Sequence, residues 1–191
     1  MSKNKTVYQL TESAIMLALS VLLSFISIYR MPYGGSVTLC SMAPVLTLSF
    51  RYDVKWSLFV TFVYGLLQMA LGFYPPPAQT FFSFAGVVLL DYVLAFGCLG
   101  LAGCVKRFFK SGSGIPSILV SVSFVIFLRF LCHFLSGIII WDVYAPEGQP
   151  VALYSLLYNG SFMLGEWIVT SVALVALDRV KDHHPQLKHL K

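Results

Sequence analysis

Residues 116–141 read PSILVSVSFVIFLRFLCHFLSGIIIW, a run whose one formal charge is Arg129. As a helix these residues extend roughly 39 Å at 1.5 Å per residue, more than the roughly 30 Å hydrocarbon core of a bilayer. This stretch therefore reads as a membrane span, and the rest of the chain repeats its pattern. Apolar segments at about 8–29, 37–50, 56–73, 79–105 and 151–177 are bounded by breakers and charges. Those boundaries are Arg30 with Pro32 and Gly34-Gly35, the cluster Arg51, Asp53 and Lys55, the run Pro75-Pro76-Pro77, Lys106-Arg107 with the Ser111–Gly114 linker, and the loop from Asp142 to Pro150. The 37–50 segment is short for a perpendicular span, which is acceptable if protein encloses its ends.

Composition agrees with this reading. Of 191 residues, 58% are hydrophobic and 11% are charged, against about 25% charged in soluble domains. Too few charges remain to coat a soluble globule, and the apolar content excludes disorder. The expected architecture is a single all-α integral membrane domain over residues 1–191, with six transmembrane helices. The amino terminus, MSKNKTVYQLTES, precedes an apolar stretch too long for a signal-peptide core, so it reads as leading into a retained first helix.

Short cytoplasmic loops retain Lys and Arg during insertion. With the amino terminus inside, Lys3, Lys5, Arg51, Lys55, Lys106, Arg107, Lys110, Arg179, Lys181, Lys188 and Lys191 all fall on the cytoplasmic side. Only Arg30 is outside and Arg129 within a span, while the outer loops carry Asp142 and Glu147. Both termini are thus expected inside a multi-pass cell membrane protein. The same distribution explains the net charge of +5 without a nucleic-acid partner. Cys40, Cys98, Cys104 and Cys132 lack the spacing of a metal site and read as small buried thiols.

Function belongs among polar groups that the bilayer makes expensive, since a central charge costs at least about 2.5–3.5 kcal/mol. These are Asp91 in LLDYVLAF, Arg129 and His133 four residues apart, and Glu166. Asp91 and Arg129 could form a buried ion pair. His133, Gly137 and Trp141 recur at i, i+4 and i+8, placing an imidazole, a gap and an indole on one helix face. Such a face is shaped like a pocket wall: the glycine lets a flat ligand approach, and the indole offers a stacking or cation–π surface. Tyr154 and Asn159 begin the sixth segment at the same outer depth, and Asp91-Tyr92 adds a carboxylate and a phenol. Together these groups suit a flat organic cation, whose desolvation a carboxylate offsets. One Asp and one His make no recognisable metal set. Catalysis is poorly supported, because Ser136-Gly137 lacks the preceding glycine of a GxSG motif and no HExxH occurs.

The strings MPYGGSVTLCSMAPV, LLDYVLAFGCLGLAG and RFLCHFLSGIIIWDVYAPEGQPVALYSLLYNG resemble the thiamine-specific substrate-binding subunits (S-components) of bacterial energy-coupling factor (ECF) transporters. The resemblance covers the whole chain apart from its terminal tails. It implies a six-helix S-component fold with a thiamine site near the outer face and no catalysis by this subunit. It places Asp91 toward the thiamine cation with Tyr92 beside it, and Trp141 stacked on a ring. His133, Tyr154 and Asn159 then bond polar edges, while Gly137 gives clearance. Tyr33-Gly34-Gly35 stands where some members carry a lid tryptophan in the first outer loop, and Asp91 where some carry Glu. Ala14 and Ala18 match the AxxxA motif with which the family docks on a membrane-embedded coupling subunit. That subunit and two cytoplasmic ATPases are the implied partners and energy source, since no GxxxxGK[ST] loop is present. The competing ligands are another flat vitamin or a precursor such as hydroxymethylpyrimidine, with an intramembrane enzyme behind them. Phosphorylated forms are expected to be disfavoured, and Glu166, which matches no position that the resemblance explains, reads as a structural pair with Arg129 or as a helix–helix hydrogen bonder.

Overall fold

The computed structural model describes residues 3–109 and 114–183. Lys110, the linker residues 111–113, Lys188 and Lys191 lie outside the described residues. The elements in chain order are α1 (Lys3–Ser24), β1 (Ser27–Arg30), β2 (Ser36–Thr38), α2 (Ala43–Arg51), α3 (Val54–Gly72), α4 (Phe81–Phe108), α5 (Ile115–Ile139) and α6 (Val151–His183). Among the described residues, five helices are long and apolar enough to cross a membrane: all but α2.

The second segment is where the structure departs from the sequence reading. Residues 37–50 do not form one helix, and the first helix stops at Ser24 instead of Tyr29. Residues 27–38 instead form an antiparallel hairpin, with Ser27 opposite Thr38 and Arg30 opposite Ser36, and an irregularity between Ser27 and Tyr29. Only then does the nine-residue α2 begin, with Pro44 in its first turn, where a missing N–H costs nothing. At about 14 Å, α2 covers half a bilayer at most. It survives because protein encloses it: Ala43, Pro44, Val45, Leu46, Leu48 and Ser49 are all buried. The hairpin and half-helix together stand in place of the expected second span, and irregular backbone at that position needs protein partners.

At the other end of α2, cytoplasmic in the orientation read from Lys and Arg, polar contacts tie four elements together. Arg51 and Tyr52 both bond the Glu12 carboxylate of α1, and Arg107 of α4 donates to the Tyr52 carbonyl. Trp56 of α3 donates its indole N–H to Ser13 at 2.9 Å, and Asp53 caps α3 through the Trp56 amide. Burial, then the bond to Glu12, pushes the Tyr52 phenol above its ordinary range, so it stays a donor.

Apolar surfaces attract one another little in lipid, so close packing of small residues carries the helix contacts. On α4, a Cβ built on Gly103 would lie 1.9 Å from the Ser49 carbonyl of α2, whereas one on Gly97 would meet nothing within 4 Å. Gly103→Val should therefore lower the unfolding temperature of the detergent-solubilised protein, through overpacking of about 1–3 kcal/mol or more, with Gly97→Ala as a neutral reference. Equal melting of the two variants would contradict this α2–α4 contact.

Candidate functional site

Asp91 lies at the centre of a π-helical stretch, Val88–Leu94, that interrupts α4. Such bulges turn side chains out of α-helical register and are frequent at functional sites. Here the carboxylate meets three donors from α5 and the turn after it. Asp91 Oδ1 lies 2.8 Å from His133 Nδ1, while Oδ2 accepts from Ser136 Oγ at 2.6 Å and from the Trp141 indole N–H at 3.1 Å. Arg129 is not its partner. Its guanidinium sits 4.2 Å from the centre of the Phe96 ring and donates to Met42 Sδ, so no ion pair joins Arg129 and Asp91 among the described residues.

Trp141 is not on the helix face expected from the i, i+4, i+8 spacing, because α5 ends at Ile139. A turn returns the indole to Ser136 and Asp91, and this double contact orients its ring. The ring packs against Tyr144 (6.1 Å between centroids, 17° between planes) and Tyr74 (5.5 Å). Tyr144 in turn stacks on Tyr33 at 4.0 Å. Tyr33 sits at the tip of the β1–β2 hairpin, where it and Gly34 both have positive φ (63° and 102°), as this tight reversal requires. A tyrosine thus stands at the tip of this hairpin.

These groups face one cavity of about 410 Å³, and Asp91, Tyr92, His133, Gly137, Trp141, Tyr154 and Asn159 all line it. Tyr33, Gly34 and Gly35 line it too. The geometry changes two of the expected roles. Gly137 gives clearance chiefly to α6, since a Cβ there would come within 2.2 Å of Ser155 Oγ and 3.0 Å of the Asn159 amide. The Tyr92 hydroxyl is already engaged, accepting from the Tyr74 amide and donating to the Gly72 carbonyl, both at 3.0 Å, so it fastens the Pro-rich loop. Asn159 donates to the His133 carbonyl and to Ser155, which locks α5 to α6. His133 Nε2 is buried and has no partner. Tyr154 stacks beside Tyr158 along α6.

Sequence reasoning missed Tyr74, Tyr144, Tyr158 and Ser136. The tyrosines come from loops or from a further turn of α6, and nothing in their spacing distinguishes them from an interfacial aromatic belt. Ser136 was weighed only as a nucleophile, whereas it is a donor to Asp91. No group of three or more Asp, Glu, His or Cys suited to a metal occurs among the described residues.

Residues 10–185 match the family model described as "Thiamine transporter protein" (Thia_YuaJ). The chain belongs to this family. It is 35% identical over 188 residues to the protein named thiamine transporter ThiT of Bacillus subtilis, covering 93% of each chain. It is 26% identical over 199 residues to the Lacticaseibacillus paracasei protein of the same name, covering 93% of this chain and 90% of that one. The solved structure of ThiT from Listeria monocytogenes superposes with a TM-score of 0.73 at 22% identity, covering 96% and 98% of the two chains, and shows the same fold. Family, fold and span-length helices together make this a multi-pass membrane protein.

The Tyr92 contact is the simplest to test. Tyr92→Phe leaves a loop N–H and a carbonyl unpaired, and should cost about 1–3 kcal/mol of stability, read as a lower unfolding temperature. Because Tyr74 packs on Trp141, the intrinsic fluorescence should shift as well. An unchanged melting curve and spectrum would show that Tyr92 does not hold this loop.

Proposed function

We propose that this chain is a high-affinity thiamine-binding subunit and that the ligand occupies the cavity around Asp91. The observation that carries the reading is a carboxylate held by three donors inside an aromatic-walled cavity. Family membership and two relatives named thiamine transporters support it. Thiamine carries a permanent positive charge on a flat ring, so leaving water is costly unless an anion and π faces replace the lost hydration. Asp91 supplies the charge, and its three donors keep the carboxylate fixed, so little reorganisation accompanies binding. Trp141, Tyr144, Tyr74 and Tyr33 supply ring faces. His133 Nε2 is left to bond a polar edge of the ligand, and the Tyr154 phenol is a second such group.

The chain itself performs no chemistry in this account and needs no cofactor. Uptake is driven by partners: a membrane-embedded ECF coupling subunit and two cytoplasmic ATPases. Ala14 and Ala18 are both exposed on α1, between Leu10, Ile15, Leu19 and Leu22, which are exposed too. A small-residue stripe left free on the lipid-facing side supports close docking of another helix there.

Calorimetric titration of the wild type and Asp91→Asn with thiamine and with neutral hydroxymethylpyrimidine tests the reading. Thiamine affinity should fall by more than about tenfold in the variant, equivalent to about 1.4 kcal/mol, with the neutral pyrimidine affected much less. Equal losses for the two ligands, or none for thiamine, would remove the cation from the account.

A further inference from the structure

Glu166 is a buried carboxylate of α6 that makes no bond within the Asp91 group. It lies fifteen residues into α6, about 22 Å from its outer end, and is 2% exposed. A single oxygen, Oε1, accepts from the Thr38 backbone N–H at 2.6 Å and from the Thr38 hydroxyl at 2.7 Å. The Thr38 hydroxyl is therefore committed as a donor, and Ser41, 2.6 Å away, must donate to it. Oε2 has no hydrogen-bond partner. Glu166 thus accepts hydrogen bonds from one residue only among the described residues, at the base of the β1–β2 hairpin.

The rest of the hairpin is held differently as it runs outward along α6. Val37 lies against Gly165, where a Cβ would come within 2.6 Å of it, and the Gly35 amide donates to the Tyr158 hydroxyl at 3.0 Å. At the tip the Tyr158 hydroxyl donates to the Pro32 carbonyl and Tyr33, 48% exposed, stacks on Tyr144. Attachment therefore grades from buried at Thr38 to exposed at Tyr33. The two non-glycine residues with positive φ among the described residues, Tyr33 and Cys40, bracket strand β2. Both the tip and the turn behind Thr38 thus hold backbone conformations that side chains disfavour. Tyr33, Gly35, Ser36, Thr38 and Glu166 all line the cavity, so the hairpin forms one of its walls.

We propose that Glu166 is a positioning residue: through Thr38 it anchors the inner end of the hairpin, which therefore opens from its Tyr33 tip and sets how long the ligand stays. Glu166 need not touch the ligand. The inference rests on thiamine as the ligand only for its kinetic test, because the anchor itself is visible without any ligand.

Two readouts on the full-length protein in detergent test it. In the first, Glu166→Leu should raise the thiamine dissociation rate by about tenfold or more, as loss of two buried hydrogen bonds implies, with a smaller change in association. Thr38→Val should act in the same direction, whereas Glu166→Gln and Thr38→Ser keep an acceptor and a hydroxyl and should stay near the wild type. In the second, hydrogen exchange without ligand should show residues 36–38 losing protection in Glu166→Leu while α5 and α6 keep theirs. Unchanged dissociation overturns the proposal. So does loss of protection throughout α5 and α6, which would make Glu166 a general stabiliser. If the wild type binds no thiamine, the thiamine reading fails, and the exchange pattern alone then upholds or overturns the anchor.

Discussion

A carboxylate placed within a bilayer must be paid for by hydrogen bonds, and Asp91 sets the terms for everything around it. Two of its three donors belong to α5 and the third to the turn beyond, so satisfying one charge fixes the α4–α5 contact and the plane of Trp141. Placing that carboxylate toward α5 coincides with a π-helical interruption of α4. Aromatic groups then converge on the oriented indole from the Pro-rich loop, the turn after α5 and the hairpin tip. The resulting cavity couples fixed negative charge to ring faces, and in the proposed function that combination selects a flat cation.

A second constraint shapes the opposite wall. Backbone that leaves helical geometry within a membrane needs protein partners, and residues 25–42 find them. The hairpin is bonded within itself, to Tyr158, and to Glu166. Its descent to the depth of Glu166 leaves only half the membrane for α2, and the burial of α2 on several sides follows. What looks like a weak span is therefore a wall of the cavity joined to a buried half-helix.

Much of this was legible in the sequence because lipid makes composition decisive. Five span-length helices and their order follow from apolar length between charged and proline-rich breaks. The seven residues expected at the site share one cavity because polar groups inside spans are few enough to enumerate. The hairpin was not legible: FISIYR and SVTLC are as apolar as the helices on either side, and a short apolar run does not distinguish strand from helix. The π-helical turn at Asp91 leaves no mark on LLDYVLAF. The pairing of Asp91 with His133 instead of Arg129 depends on rotation about α4, which spacing along one helix cannot supply. Gly137 was read as room for a ligand, yet the nearer claimant is Ser155 on a helix that begins fourteen residues later.

The central claim is that a thiamine ring lies against Trp141 in the cavity that Asp91 organises. It is tested most directly in a protein carrying Trp56→Phe and Trp167→Phe, in which Trp141 is the remaining tryptophan. Titration with thiamine should quench its fluorescence saturably at nanomolar concentrations, about −12 kcal/mol. Calorimetry that shows tight thiamine binding while the Trp141 emission does not change would contradict the account.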